Sequence, residues 1–165
     1  NKALFNLWCK GQTGIPLVDA NMRELAETGF MSNRGRQNVA SFLVKDMQLN
    51  WKWGAAYFES LLIDYDPCSN YGNWNYIAGI GNDPRPNRYF NVLRQTKQYD
   101  PNALYIKHWC PELKKLPIRL AHEPYLMNAT EQQYLGVFLG RQYPTPCINL
   151  KLWKAKQANI QAHNK

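Results

Sequence analysis

The spacing of apolar residues along the chain predicts helices rather than strands. After Pro16, the apolar residues Val18, Met22 and Leu25 recur at helical intervals, and Gly29 follows at the position of a C-terminal cap. Proline is tolerated in the first turn of a helix because its missing N–H has no helical partner there. The pattern therefore predicts a helix that starts at Pro16 and stops at Gly29.

The same periodicity predicts further helices along the chain. They are expected over residues 33–47, 53–62, 70–78 and 99–113, with weaker patterns over 131–139 and a loose or surface helix over 152–165. The helix over 99–113 is expected to be entered at residues 100–102 and broken by Pro111. Strand-like alternation of apolar and polar residues nowhere exceeds four residues. The expected fold class is all-α, with neither internal repeats nor a linker between domains.

Charge and cysteine spacing narrow the classes of function. The chain has 20 Lys and Arg against 12 Asp and Glu, a net charge of +8, which favours a polyanionic partner such as nucleic acid, an acidic protein surface or anionic lipid. The four cysteines lie far apart, unlike zinc ligands or a disulfide framework. No apolar run approaches the roughly 18 residues that a membrane span needs.

The densest group of chemically useful residues follows the third predicted helix. Asp64 and Asp66 lie in an aromatic segment that ends at Trp74, and the helix over residues 33–47 carries Arg34 and Arg36. A buried carboxylate needs a cation or hydrogen-bond donors. Two explanations are open: a structural Arg–Asp ion pair, or a site for a planar ligand with polar edges, walled by aromatic rings.

A calcium site is the competing explanation for two aspartates at this spacing. In a calcium loop beginning at Asp64, the sixth position would be Ser69 where glycine is needed, and the twelfth would be Asn75 where glutamate is needed. The spacing therefore argues against calcium, and no metal site is predicted.

Longer motifs resemble the cryptochrome and DNA photolyase family. Residues 8–20, WCKGQTGIPLVDA, match its W-x-x-G-x-T-G-x-P-x-V-D-A signature, and residues 28–37, TGFMSNRGRQ, continue the match. The segments NWNY at 73–76, GIGNDPR at 79–85 and RYFN at 88–91 resemble the DASH branch. The resemblance runs from residue 5 to about residue 125.

This resemblance implies an all-helical domain that binds FAD. It assigns residues 1–125 to the second half of that domain and residues 126–165 to a C-terminal extension with a basic tail, the N-terminal α/β antenna domain being absent from this sequence. Within the site, Arg36 is implied to pair with Asp64, and Asn70 to face the flavin N5. Cofactor contacts are implied for five residues: Asn33, Arg36, Asp64, Asp66 and Asn70.

The resemblance also implies blue-light electron transfer and DNA repair. Trp74 and Trp51 match the first two members of a tryptophan chain that carries electrons to the excited flavin, and the third is expected to precede this chain. Single-stranded DNA is the implied nucleic acid. Arg34 and Arg88 match positions near its backbone, while Gln37 and Tyr76 match positions lining the lesion pocket. As a residue type, Arg88 fits a helix cap or a surface ion pair equally well.

Three hypotheses about function follow from the length of the chain, because the family's phosphate-binding turn lies in the half that this sequence does not contain. The chain is part of a functional DASH-type flavoprotein, an FAD module that senses light once a partner or second copy closes its site, or a flavin-free structural subunit of a larger assembly. Repair by this chain alone is not expected, so its status as an enzyme stays open.

Two further expectations concern the surroundings of the chain. Half a helical domain leaves an apolar face uncovered, which predicts self-association or a protein partner. The expected location is an organelle, the chloroplast first and the mitochondrion second, with the cytoplasm or nucleus as the alternative.

Overall fold

Helices dominate the part of the chain that the computed structural model describes, residues 1–80 and 89–163. The α-helices of this part are α1 (Lys2–Cys9), α2 (Pro16–Thr28), α3 (Asn33–Ser41), α4 (Trp51–Leu61), α5 (Pro67–Ala78), α6 (Val92–Tyr99), α7 (Leu104–Trp109), α8 (Ile118–His122), α9 (Ala129–Leu135) and α10 (Leu150–His163). Short 3-10 turns cover Pro111–Leu113 and Pro124–Leu126, and these described residues contain no β-strand. The predicted all-α fold is confirmed.

Helix α2 lies at the centre and packs against α1, α3, α6, α7 and α8. Asp19 of α2 accounts for two other residues of the W-x-x-G-x-T-G-x-P-x-V-D-A motif, because they donate hydrogen bonds to its side chain. The buried carboxylate accepts hydrogen bonds from Thr13 N and Oγ1, Gly14 N and the Tyr143 hydroxyl, at 2.6 to 3.0 Å. Burial raises the pKa of Asp19, and these hydrogen bonds oppose that rise. The aspartate thus ties the loop before α2 to the C-terminal region.

The helix predicted over residues 33–47 is present, but its hydrogen bonding changes partway along. After α3 the backbone forms a π-helical segment, Phe42–Asp46, which is a wider turn than an α-helix. At its end, the Asp46 carboxylate accepts hydrogen bonds from the Tyr89 hydroxyl at 2.7 Å and from Lys156 Nζ at 3.0 Å. The segment therefore contributes an anchor for the C-terminal helix.

The helix predicted over residues 99–113 is present but shorter, because α7 covers only Leu104–Trp109 and a separate 3-10 turn follows at Pro111. Tyr99 is the last residue of α6, and α7 begins only after an intervening turn. The Asp100 carboxylate in that turn accepts hydrogen bonds from the backbone N–H groups of Tyr105 and Ile106, at 3.1 and 2.9 Å. The buried Asp100 therefore caps the start of α7 at the predicted entry turn, and the predicted break at Pro111 is present as well.

Other helix boundaries also differ from the prediction. Helix α5 begins at Pro67 rather than at residue 70, because the Asp66 side chain caps it. Helix α9 stops at Leu135 rather than at residue 139, since Gly136 adopts a left-handed conformation with φ of 70°. Helices α1, α6 and α8 were not predicted. They have eight, eight and five residues, lengths at which packing rather than local preference determines whether a helix forms.

The C-terminal region packs on the preceding helices. Tyr143 is fully buried, and Trp153 of α10 is only 4% exposed, with its ring centroid 6.3 Å from that of Phe42. Cys147 N donates a hydrogen bond to Thr13 O at 2.8 Å. Helix α10 is therefore a docked surface helix. The domain boundary at residue 125 stays a prediction.

None of the helices in the described residues combines the length and apolarity needed to cross a membrane.

Candidate cofactor site

A cleft opens between α3, the end of α4 and α5. Its apolar wall consists of Ala40, Phe58, Leu62, Trp74 and Ile77. Its polar lining consists of Asn33, Arg36, Gln37, Asp64, Tyr65, Asp66, Ser69, Asn70 and Asn73. An apolar wall facing a set of amides and charged groups is typical of a small-molecule or cofactor site.

The ion pair on one side of the cleft joins α3 to the loop after α4. Arg36 Nη2 lies 2.9 and 2.7 Å from the two carboxylate oxygens of Asp64, and Arg36 Nε donates a hydrogen bond to Met31 O at 2.8 Å. The backbone carbonyl thus holds the guanidinium in place. The side chains of Arg36 and Asp64 are 25% and 50% exposed, so the pair remains accessible to a ligand.

The second carboxylate of the predicted cluster serves as the N-terminal cap of α5. Asp66 Oδ1 accepts a hydrogen bond from Ser69 N at 2.7 Å. Hydrogen bonds from the backbone and hydroxyl of Ser69 lower the pKa of Asp66, so this exposed residue is a carboxylate at neutral pH. The cleft therefore has a fixed negative charge at the start of α5.

An amide is fixed deeper in the cleft, one turn further along α5. Asn70 is buried, and its Nδ2 donates a hydrogen bond to Ala55 O of α4 at 3.0 Å. This bond fixes the orientation of the amide group. Asn73 follows on the same side of α5 and lines the cleft as well.

The tryptophan in the cleft wall is held by close packing between α4 and α5. Trp74 is 2% exposed, and its ring centroid lies 5.1 Å from that of Phe58 and 6.2 Å from that of Trp8. A Cβ atom added at Gly54 would lie 2.2 Å from Trp74 Cη2. Only glycine at position 54 therefore lets the ring occupy this place. Trp8 is fully buried.

The predicted site residues do not all lie in the cleft. Seven of them line it: Asn33, Arg36, Gln37, Asp64, Asp66, Asn70 and Trp74. Arg34 lies elsewhere on α3, with its guanidinium carbon 5.4 Å from the ring centroid of Tyr99. Trp51 and Tyr76 are half-buried outside the cleft lining, and Arg88 lies outside the described residues.

Several lining residues were not assigned a role from the sequence. Tyr65 lies between the two aspartates, while Ser69, Asn73 and Ile77 share one face of α5 with Asn70. Their helical spacing is the signal that could have revealed them once α5 was placed. Phe58 and Leu62 had been assigned only to a helix face, because their approach to α5 depends on how α4 and α5 pack.

The chemistry of the lining fits a flat heteroaromatic group such as a flavin or adenine. Amides donate and accept hydrogen bonds at ring edges, carboxylates accept from ring or ribose donors, and the apolar wall packs against a ring face. Among the described residues lining the cleft, Arg36 is the sole cation and is already paired. In the described part of the chain, no group of three or more His, Cys, Asp or Glu residues could hold a metal ion.

Comparison with known proteins is consistent with this chemistry. A family model described as the FAD binding domain of DNA photolyase matches residues 1–165. Cryptochrome DASH of Synechocystis is 66% identical over 145 residues, which cover 88% of this chain and 30% of that protein. Cryptochrome DASH, chloroplastic/mitochondrial, of Solanum lycopersicum is 57% identical over 127 residues, 77% of this chain and 22% of that protein.

A solved structure supports the same relationship. The crystal structure of the Synechocystis cryptochrome matches with a TM-score of 0.90 at 60% identity, over 97% of this chain and 33% of that one. The chain belongs to the family of FAD-binding domains of DNA photolyases. Within that family, its domain is of the cryptochrome DASH type. The chain spans between 22% and 33% of the length of these relatives.

Proposed function

We propose that the chain forms one wall of an FAD site used for blue-light-driven electron transfer. The observation that carries this proposal is the cleft between α3, α4 and α5. It gathers all five residues expected to contact the cofactor, together with Trp74. These side chains come from three separate elements, and a purely structural ion pair would not require the accompanying amides and the tryptophan.

The residues of the cleft have separable roles in this proposal. When bound, FAD supplies blue-light absorption and a one-electron oxidant. Arg36 would place a positive charge beside bound flavin, where it would stabilise negative charge, and Asp64 keeps its guanidinium oriented. Asn70 presents an amide whose orientation is set by Ala55 O. Trp74 donates an electron from within the apolar wall, where water is excluded.

The diphosphate of FAD needs contacts beyond this cleft. Arg36 is the sole cation among the described lining residues, and Asp64 already engages it. A diphosphate group normally takes backbone N–H groups at a helix N-terminus or several basic side chains. We therefore propose that tight FAD binding requires protein that faces this cleft from beyond the described residues.

The test is the flavin content of the purified whole gene product, measured by absorption. We expect a flavin band in the unaltered protein. Arg36→Gln removes a charge-assisted hydrogen-bonding group worth about 1.5–3 kcal/mol, so flavin retention should fall roughly tenfold or more. Arg141→Gln, which removes an exposed arginine outside the cleft, is the matched control and should retain flavin.

Two other results would count against this role of the cleft. An unaltered protein without flavin would contradict the proposal and favour a flavin-free structural subunit. Equal flavin loss in both variants would show that general charge, not the Arg36–Asp64 pair, governs retention.

We also propose that single-stranded DNA binds near this site. Support comes from the net charge of +8 and from Arg34, which is exposed and near the rings of Phe90 and Tyr99. The resemblance gives Gln37, Tyr76 and Arg88 as further DNA-contacting residues. A labelled single-stranded oligonucleotide whose binding is unaffected by Arg34→Gln would contradict this role.

We propose that the protein is located in an organelle. The location is supported by the Solanum lycopersicum relative, whose name places it in chloroplasts and mitochondria. Import of a fluorescent fusion into isolated organelles tests it, and exclusion from both would contradict it.

We also propose that a protein partner or a second copy of the chain covers an exposed apolar surface near the cleft. Support comes from Phe30 and Ile63, which are 46% and 78% exposed.

A further inference from the structure

A tyrosine contacts the second tryptophan of the expected electron-transfer chain. The ring centroids of Trp51 and Tyr71 are 6.3 Å apart, with the planes at 79° in an edge-to-face arrangement. Tyr71 precedes Trp74 by three residues on α5, and Gly54, against which Trp74 packs, follows Trp51 by three residues on α4. The three aromatic side chains therefore lie along the contact between two packed helices.

The hydroxyl of this tyrosine has a proton acceptor. Tyr71 OH donates a hydrogen bond to Glu59 Oε2 at 3.1 Å, and Glu59 is exposed on α4. The hydrogen bond to Glu59, followed by burial, raises the pKa of Tyr71, so the phenol is protonated at neutral pH. Oxidation of a protonated phenol requires loss of its proton, and a carboxylate within hydrogen-bonding distance can take it.

Another tyrosine, Tyr57 of α4, lacks this arrangement. Tyr57 OH donates its hydrogen bond to the backbone carbonyl of Cys9 at 3.0 Å. A carbonyl oxygen accepts a hydrogen bond but does not become protonated near neutral pH, so it cannot take the proton of an oxidised phenol. The pairing of an aromatic contact with a carboxylate acceptor therefore distinguishes Tyr71 from Tyr57.

We propose that Tyr71 is an electron donor to oxidised Trp51 and that Glu59 accepts the tyrosine proton. This inference rests on the proposed function, which supplies the oxidising equivalent from photoexcited FAD through Trp74. It identifies Tyr71, at a partly exposed position, as the residue at which an electron enters the electron-transfer chain.

The step balances in electrons, protons and charge. One electron moves from the Tyr71 phenol to the Trp51 radical cation, which becomes neutral tryptophan. The O–H bond of Tyr71 breaks, and its proton forms an O–H bond on the Glu59 carboxylate. A neutral tyrosyl radical and a neutral carboxylic acid remain. Return of the electron from Trp51 to Tyr71 is slow, because the proton on Glu59 must return to the phenol oxygen as well.

The experiment uses the flavin-loaded whole gene product, excited by a light pulse and followed by time-resolved electron paramagnetic resonance. We expect a neutral tyrosyl signal in the unaltered protein and its loss to background in Tyr71→Phe, where a tryptophan radical remains. Glu59→Gln keeps a hydrogen-bond acceptor but removes the proton acceptor, so the tyrosyl signal should also be lost. Tyr57→Phe is the matched control and should keep the signal.

A second readout tests the proton transfer. Decay of the tryptophan radical cation, followed by transient absorption, should slow in deuterated water. That slowing should disappear in Tyr71→Phe and persist in Tyr57→Phe.

The outcomes separate this inference from the proposed function. A tyrosyl signal that survives in Tyr71→Phe would overturn the inference. A signal that is lost in Tyr65→Phe but kept in Tyr71→Phe would assign the radical to Tyr65 and would overturn it too. The absence of a tyrosyl signal while light still reduces the flavin would overturn it too, leaving the proposed function intact. If light reduces no flavin in the unaltered protein, the proposed function fails and the inference fails with it.

Discussion

Gly54 determines where the tryptophan of the cleft lies. It is buried on α4, and a Cβ atom at this position would lie 2.2 Å from Trp74 Cη2 and 2.7 Å from Leu43 Cδ2. Real Cβ atoms essentially never come so close to a neighbour, so any larger residue must displace an indole ring that is itself enclosed. Helix preference alone would favour alanine here, which means that packing outweighs local preference.

Replacing this glycine by alanine should therefore destabilise the protein. We expect Gly54→Ala to lower the free energy of unfolding by about 1–3 kcal/mol, the usual cost of overpacking a core. Gly72→Ala on the neighbouring helix is the control, because nothing lies within 4 Å of its Cβ position. That change should raise stability by up to about 1 kcal/mol. Urea unfolding measures both, and a similar effect of the two changes would contradict the close packing at Gly54.

At the scale of elements, α10 illustrates how a basic, polar segment becomes part of the fold. Lys151, Lys154 and Lys156 make its sequence resemble a solvated tail. In the structure, Trp153 is buried against Phe42, and Lys156 Nζ donates hydrogen bonds to Lys45 O and Asp46. One buried aromatic ring together with one anchored lysine is sufficient to dock a helix whose other face is polar.

Removing that ring tests whether α10 is docked in solution. Trp153→Ala should lower the free energy of unfolding by about 3–5 kcal/mol, because a buried tryptophan leaves a cavity. Leu152→Ala, at the neighbouring position that is 68% exposed, should change it by about 0.5 kcal/mol or less. Thermal or urea unfolding would show the difference. Equal small effects would mean that α10 is loose, as one would expect from its charge alone.

At the scale of the whole molecule, the described residues leave apolar side chains exposed near the cleft. Ile63 is exposed between the lining residues Leu62 and Asp64, and its N–H donates a hydrogen bond to Gly29 O at 3.0 Å. Phe30, the residue after Gly29, is exposed as well. Exposed apolar side chains beside a binding cleft are typical of a surface that another protein covers. We expect the same surface to drive association when the 165-residue chain is purified by itself.

Sedimentation at micromolar concentration tests that expectation. The unaltered chain should sediment as a species heavier than the monomer, and Ile63→Lys should shift it toward the monomer because a charge at the centre of a contact is costly to bury. Leu104→Lys alters a residue of similar exposure, 71%, on α7 and should leave the association unchanged. A monodisperse monomer from the unaltered chain would argue against a covering partner.

Much of the site could be predicted from the sequence because its chemistry is concentrated in two short segments. Arg36, Asp64, Asp66 and Asn70 belong to motifs with specific spacing, and the structure places all four around one cleft. Helix α6 could not be predicted in the same way. It has only eight residues, and its cap by Asn91 and its packing against α2 and α8 are visible only in the structure.

The sequence by itself determined the helical class, the position of α2 and the residues of the expected cofactor site, because periodicity and motif spacing are local properties. Contacts between distant segments were decided by the tertiary structure alone. Asp19 and Tyr143 are 124 residues apart, yet they share a hydrogen bond. The packing of Trp74 on Gly54 and of Tyr71 on Trp51 likewise depends on how α4 and α5 meet. Periodicity tells which face of a helix is apolar, whereas only packing determines which side chains meet across that face.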